Sequence, residues 1–573
     1  MVELEGVATG LELCYKFGDF VVKKCQNWRR AEAEVDERIN TIEAIWDKTR
    51  QQTNLLHRID HVLDDEYRRI VDHSIGLLSE KLSAAITSLE RVVGNEHGKR
   101  IGFHGFGIKV KRGKYAFLKE TLDEIIEDLE KCHRKFDPSW FLLVRLSSPV
   151  IDEHLRDMTA ERTSEADGVA DRARNAVMSR RPVDQQSPLT IVQGMRAAIH
   201  TSGPVKSVMR DYLVMERIRL PFSTATLAAR WSASKGENLS FIIDSLQRCS
   251  NGSVDDLETD VRSLAKRLAN SDPYTFGLLK CKCPMYPQSG SKAPNSFELV
   301  LHVPDGMENP TSLRQMLLST NDQLPPLSLT RRLRIAQQVA NSISYVHDFK
   351  FVHKGVCPES ILVFEGTQGT GTIQHLNQKT LYTFLVGFGD FRAADGGTAR
   401  IGDTAWEKNI YRHPQRQGLN LKHNFRMQHD VYSLGVCLLE IGLWESFVEY
   451  HSDTEPFSPQ DSRSYKQFQS WVSARGDSSS TEDIDTRTSS SSTTNVRAAL
   501  LREYLVEMAE TRLPSAIGEL YKDVVVACLS SGGGETESSE DELDREAAED
   551  KEGISVGVHF IVEILGKLEA ITL

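Results

Sequence analysis

The sequence predicts an α+β multidomain protein: an all-α helical bundle at the amino end, then a region of short strands, then a second helix-rich region. Three observations predict it. Apolar residues recur at three-four spacing from Leu4 to Phe136, the signature of amphipathic helices. Short β-type runs begin only beyond residue 206. The chain has 573 residues, 40% hydrophobic and 26% charged, so it holds apolar material for more than one core.

The first helix is marked by Leu4, Val7, Leu11, Cys14, Val21, Cys25 and Trp28, a stripe broken only by Gly18. Val35, Ile39, Ile42 and Trp46 mark the second, and Ile70, Ile75, Leu78, Leu82, Ile86 and Leu89 the third. The fourth carries Leu118, Leu122, Ile125, Leu129 and Cys132, and Asp137-Pro138 is expected to end it. Residues 1–148 are therefore read as one bundle. Residues 149–205 are polar and broken by Pro149, Pro182, Pro188 and Pro204, which suggests a linker with partial helix. Residues 206–303 carry the β-type runs Tyr212–Met215, Leu239–Ile243 and Phe297–Leu301, with one helix from Val254 to Leu268. In residues 304–573 helices dominate again, with a strand expected at Ile361 to Val363. Two segments inside it, 474–496 and 531–553, lack the apolar content to offset their ordering entropy and are expected to be disordered insertions.

The net charge of −12 gives no general reason to bind nucleic acid. Glu535 to Glu552 holds ten acidic and two basic residues, so most of the imbalance sits in one segment, either a solvated loop or a binding tail. The nine cysteines include no Cys-x-x-Cys pair, which leaves a structural zinc site without support and a disulfide framework unexpected. The acidic start Met1-Val-Glu-Leu-Glu and the lack of any apolar run of membrane-spanning length point to a cytoplasmic protein.

The most informative stretch runs Phe351-Val-His-Lys-Gly-Val-Cys-Pro-Glu-Ser-Ile-Leu-Val363. It resembles a protein-kinase catalytic loop, His-Arg-Asp-Leu-x-x-x-Asn. Leu385-Val-Gly-Phe-Gly389 then occupies the place of Asp-Phe-Gly, Tyr411-Arg-His-Pro-Gln415 resembles the Ala-Pro-Glu region, and His429 to Glu440 looks like the large buried helix that follows. Four motifs in order imply a bilobal protein-kinase-like fold, with an N-lobe at 206–303 and a C-lobe at 304–573.

The same alignment implies that the chemistry is missing. Phosphoryl transfer needs a carboxylate for the substrate hydroxyl and oxygen donors for magnesium. After the loop histidine, His353, the expected Arg is Lys354, the catalytic carboxylate is Gly355 and the magnesium-binding amide is Ser360. Gly387, Phe388 and Gly389 stand where the metal-binding Asp-Phe-Gly belongs, so the bridging carboxylate is a glycine. Asp390 is a fallback, if the register shifts by three. The N-lobe lacks a Gly-x-Gly-x-x-Gly turn between 200 and 245, and its best third-strand match, Phe241-Ile-Ile-Asp244, puts an acid at the phosphate-binding Lys position. Asp260 falls near the partner Glu position, so two acids would face each other. ATP binding is expected to be weak or absent, and no cofactor or metal is expected.

The opening helix, the helix ending in Ile45-Trp46, and Lys114 to Phe136 with Leu129-Glu-Lys131 resemble the HeLo and HeLo-like domains of filamentous fungi, of the prion-inhibition and propagation type. A helical bundle beside a dead kinase domain is similar in architecture to the vertebrate mixed-lineage kinase domain-like pseudokinase. The resemblance implies regulated membrane permeabilisation in cell death or heterokaryon incompatibility. The residues add one observation of their own. His97 to Lys114 holds Lys99, Arg100, Lys109, Lys111, Arg112 and Lys114 with no acid, interleaved with Phe103, Phe106 and Ile108. Such a cluster suits an anionic lipid surface, or is a flexible loop kept soluble by its charge. The expected partners are anionic lipids and a signalling protein or a second copy of the bundle. The competing readings are an active but atypical kinase using Asp390, and a pure interaction scaffold.

Overall fold

All four amphipathic patterns fold as helices: α1 (Leu4–Gln26), α2 (Ala33–Ile59), α3 (Asp65–Gly94) and α4 (Arg112–Phe141). The computed structural model describes residues 4–29, 33–94, 112–173, 187–200, 216–232, 237–247, 254–285, 296–319, 327–366, 380–390, 392–393, 405–418, 425–450, 458–475, 491–531 and 554–571. These form two compact units, one of the described residues up to Arg196 and one of those from Ala197 onward.

In the first unit the apolar faces are buried as their spacing requires. Leu11, Cys14, Val21 and Cys25 of α1, Val35, Ile39, Ile42 and Trp46 of α2, and Leu118, Leu122, Ile125 and Leu129 of α4 all lie in the core. Ile70 and Ile86 of α3 are only half-buried, while Ile75, Leu78, Leu82 and Leu89 are fully so. A bidentate pair from Arg38 to Asp123, at 2.8 and 3.0 Å, ties α2 to α4.

Gly18, the break in the α1 stripe, is where Trp46 of α2 packs. A Cβ there would lie 2.2 Å from the indole ring, whose Nε1 donates to Asp19 Oδ1 at 2.8 Å. Gly76 of α3, by contrast, is exposed with nothing within 4 Å of its Cβ position. Gly18→Ala should therefore destabilise the first unit by about 1–3 kcal/mol through overpacking. Gly76→Ala should stabilise it by up to about 1 kcal/mol through helix propensity. Opposite shifts of the denaturation midpoint check both, and a neutral Gly18→Ala would show that Trp46 has room to move.

The expectation that Asp137-Pro138 ends the fourth helix is corrected: α4 runs through Pro138 to Phe141. Tertiary contacts override the breaker. Lys48 Nζ and Gln52 Nε2 donate to the buried Asp137 carboxylate at 2.6 and 2.8 Å. Burial would raise that carboxyl, but Lys48 and His133 hold it well below the usual range. Trp140, with no exposed surface, anchors the last turn and donates from Nε1 to Gln52 O at 3.2 Å. The segment read as a linker with partial helix carries α5 (Pro149–Ala173) and α6 (Pro188–His200). Ile151, Leu155, Leu189, Val192 and Met195 are buried, and the fully enclosed Arg196 side chain holds Asp152 at 2.6 Å and the carbonyls of Leu143, Leu146 and Ser148.

The second unit opens with an antiparallel five-stranded sheet in the order β1-β2-β3-β5-β4: β1 (Glu216–Arg219), β2 (Ala225–Ser232), β3 (Glu237–Gln247), β4 (Lys280–Met285) and β5 (Ser296–His302). Between β3 and β4 lie α7 (Val254–Leu268), with the bounds read from the sequence, and the short α8 (Pro273–Phe276). Ala228, Phe241, Ile243, Cys283 and Val300 form one core cluster of the sheet. Tyr212–Met215 lies outside the described residues; the first strand found is Glu216–Arg219, too charged to read as β-type.

Beyond Pro304 helices dominate, and strands accompany them, including the one expected at Ile361 to Val363. β6 (Met307–Ser312), β8 (Ile361–Gly366) and β9 (Thr380–Leu385) pair as a second sheet, and β7 (Phe351–Val352) pairs with β10 (Arg392–Ala393). Around them stand α9 (Leu313–Leu318), α10 (Leu329–Asp348), α11 (Trp406–Asn409), α12 (Met427–Leu443), the hairpin β11 (Val448–Tyr450) with β12 (Pro459–Asp461), α13 (Arg463–Ala474), α14 (Ser491–Ala516) and α15 (Glu519–Ser530). A π turn, Ile561–Leu565, leads into α16 (Gly566–Ala570). Val431 to Ile441 of α12 are buried on every side, as expected of a central helix. Of the expected insertion at 474–496, both ends are helical, since α13 includes Ala474 and α14 begins at Ser491; residues 476–490, and 532–553 of the other, lie outside the described residues. Among the described residues no helix is long and apolar enough to cross a membrane.

Candidate functional site

The site is assembled where β3, the loop after β7 and the turn after β9 meet. β7 ends at Val352, and the loop that follows is held from below by Asp430 at the start of α12. The buried Asp430 carboxylate accepts the backbone N–H of His353 at 2.7 Å and of Lys354 at 2.9 Å. His353, fully buried, donates from Nε2 to Val386 O at 3.0 Å and accepts from Gly355 N–H on Nδ1 at 3.3 Å. Its ring lies against Phe388, with centroids 4.8 Å apart. Lys354 adopts a left-handed φ of 64°, and its ammonium lies 5.7 Å from the centre of the Phe425 ring.

Ser360 serves the backbone. Its Oγ donates to Cys357 O at 2.9 Å and accepts from Cys357 N–H at 3.1 Å, closing the 3₁₀ turn Pro358–Ser360. Gly355 has room: a Cβ there would meet nothing closer than Gly387 O at 3.5 Å. Gly387 does not. Its φ is +83°, and a Cβ would stand 2.9 Å from both Ser360 Cβ and Thr224 Oγ1. A carboxylate side chain at Gly387 would be strained in backbone and crowded in space.

Asp244, on β3, lies in the same constellation. Its side chain is buried between Ala225 of β2 and Leu299 of β5, its partners across the sheet. Oδ2 accepts the backbone N–H of Gly387 and of Phe388, each at 2.8 Å. Oδ1 is enclosed and without a hydrogen-bond partner among the described residues. Burial pushes the carboxyl up from 3.8 to about 6, although the two amides pull it down. The acid thus caps the Gly387–Gly389 backbone and presents no cation. Asp260 lies on α7 and is half-buried. Gly389 and Asp390 complete the 3₁₀ turn Phe388–Asp390; the Asp390 side chain lies outside the described residues.

Two features were not read from the sequence. The turn joining β1 to β2 folds down onto this place. Phe222 (φ 48°) is buried against Tyr450, with ring centroids 4.9 Å apart; Ser223 Oγ donates to Glu359 O at 3.1 Å, and Ser312 Oγ donates to Pro221 O at 2.8 Å. The second is a buried ionic network around Arg314 of α9. Nε reaches Glu359 at 2.9 Å, Nη1 reaches Glu440 at 2.9 Å, and Nη2 reaches Tyr411 Oη at 2.5 Å. Despite burial, which opposes charge, Arg314 holds Glu359 below its ordinary range. Gln415, at the end of the Tyr411–Gln415 stretch, accepts from His429 Nε2 at 3.3 Å. The only sequence signal for the turn was Pro221 beside a short polar pair; an isolated Arg314 carried none.

Lys99, Arg100, Phe103, Phe106, Lys109 and Lys111 lie outside the described residues, and Arg112 and Lys114 lie in the first turn of α4 with their side chains undescribed. Among the described residues no cluster of His, Cys, Asp or Glu has the makings of a metal site. No protein-family model matches the chain.

Proposed function

We propose that the second unit is a protein-kinase-like domain that does not transfer phosphate, and that it regulates the amino-terminal bundle, a HeLo-like element acting at membranes in cell-death or incompatibility signalling. One observation carries the catalytic half of this reading. Asp244 stands at the third-strand position where a kinase holds its phosphate-binding Lys, and it is spent on the backbone of the turn where a kinase holds its magnesium-binding Asp. The sheet order β1-β2-β3-β5-β4 with a helix between β3 and β4, followed by a region dominated by helix, supports the kinase-like assignment. Gly355, Ser360 and Gly387 supply no carboxylate and no amide side chain to a metal. A buried acid and a collapsed β1–β2 turn disfavour a triphosphate in the cleft. On this reading ATP is not a cofactor, the partners are anionic lipids and a signalling protein or a second copy, and the chain works from the cytoplasm.

Purified full-length protein with radiolabelled ATP and magnesium or manganese should incorporate no more label into generic substrates than a blank. Millimolar magnesium-ATP should leave its melting temperature unchanged, because only a ligand that binds the folded state raises it. Incorporation lost in an Asp390→Ala variant would replace this reading with an atypical kinase.

A further inference from the structure

The buried carboxylate of Asp244 is unusual in how it is served. Both of its hydrogen bonds fall on Oδ2 and come from consecutive amides of one glycine-flanked turn, while Oδ1 has no hydrogen-bond partner among the described residues. That turn is crowded from the other side by Thr224 of the β1–β2 turn and by Ser360. We propose that Asp244 and the Gly387–Gly389 turn form a latch that holds β3 to the turn after β9, and that taking up a proton on Asp244 tightens it.

The physical argument rests on the orphaned oxygen. A carboxylate with one oxygen unpaired in an apolar enclosure bears a desolvation penalty that two amide donors only partly offset. Protonation removes the charge and leaves Oδ2 able to accept from both amides. Neighbouring charges do not set this balance. Glu298 on β5 is held by Arg217 at 2.8 Å, Glu258 on α7 is held by Arg262 at 2.5 Å, and His353 is committed to Val386 O. The other acids on these elements are Asp255, Asp256 and Asp260 on α7, Glu237 at the far end of β3 and Asp390 in the turn itself. The direction follows from linkage. The shut form keeps its proton up to about pH 6, and an opened, solvated Asp244 loses it near the ordinary 3.8. Closure is therefore strongest below that window and weakens as pH rises through it. Between pH 7 and pH 5 the shut-to-open ratio should rise about tenfold.

This inference rests on the geometry of the turn and not on the kinase-like reading, so the two fail separately: phosphate transfer would sink the reading, and an indifferent turn would sink the latch. The test is hydrogen exchange of the full-length protein at pH 5, 6 and 7, expressed as protection factors so that intrinsic exchange drops out. Amides of residues 385–390 should gain about tenfold in protection from pH 7 to pH 5, while Val431 to Leu439 in α12 should not change in parallel. Asp244→Asn, which keeps an acceptor oxygen but cannot titrate, should make the 385–390 amides indifferent to pH. The wild-type series alone is decisive if that variant does not fold. Constant protection in wild type, the same pH dependence in Asp244→Asn, or an equal gain in α12 would each overturn the latch.

Discussion

Arg314→Met should destabilise the second unit by about 3–5 kcal/mol, the cost of removing one partner from a buried ionic network. The Arg314 guanidinium has no exposed surface, and it bridges Glu359 before β8, Glu440 within α12 and the Tyr411 hydroxyl. Removing it strands two carboxylates that have few other donors. Glu440 keeps the Phe447 N–H at 2.7 Å and the Tyr411 hydroxyl at 2.9 Å; Glu359 keeps the Tyr450 hydroxyl at 2.8 Å. The loss should therefore shrink when Glu440→Gln is added, because the double variant no longer buries that uncompensated charge. Guanidinium unfolding of wild type, both single variants and the double variant completes the cycle. A loss below about 1 kcal/mol for Arg314→Met, or strict additivity, would mean that the network contributes little to the fold.

Loss of three basic residues from the segment His97 to Lys114 should weaken binding to anionic vesicles by about 3 kcal/mol, roughly a hundredfold, at about 1 kcal/mol for each residue near the surface. Six basic residues and no acid lie between His97 and Lys114, with Phe103, Phe106 and Ile108 among them. Attraction of this kind decays over about 8–10 Å at physiological salt, so binding should fall as salt rises and be poor to neutral lipid. The comparison is full-length wild type against Lys109→Ala/Lys111→Ala/Arg112→Ala, by co-sedimentation with vesicles of graded anionic content. Both proteins must first show the same helical circular dichroism, because a melted bundle exposes apolar faces that bind any lipid. Equal binding by the two, or indifference to salt and lipid charge, would remove this basic segment from the mechanism and favour an interaction scaffold.

The division of labour between sequence and fold can be seen residue by residue. Periodicity alone placed most of the buried faces of α1 to α4 and the bounds of α7. It succeeds there because burial of a helix face is repeated every turn, so many residues report the same fact. The resemblance to kinase motifs also singled out His353, Gly355, Ser360, Gly387 and Asp244, of which the two glycines have no side chain to offer a metal. The tertiary structure decided the rest. Pro138 stays inside α4 because Trp140 and the Asp137 contacts with Lys48 and Gln52 outweigh one lost backbone bond. β1 is a strand because β2 pairs with it, although its own residues are mostly charged. Gly18 accommodates an indole from another helix, Arg314 draws in two carboxylates from distant segments, and Asp244 finds two amides 143 and 144 residues further along the chain. Local pattern is written in neighbouring residues. Hydrogen bonds, ion pairs and close packing between remote segments depend on where the completed fold brings them, and no spacing in the sequence encodes that distance.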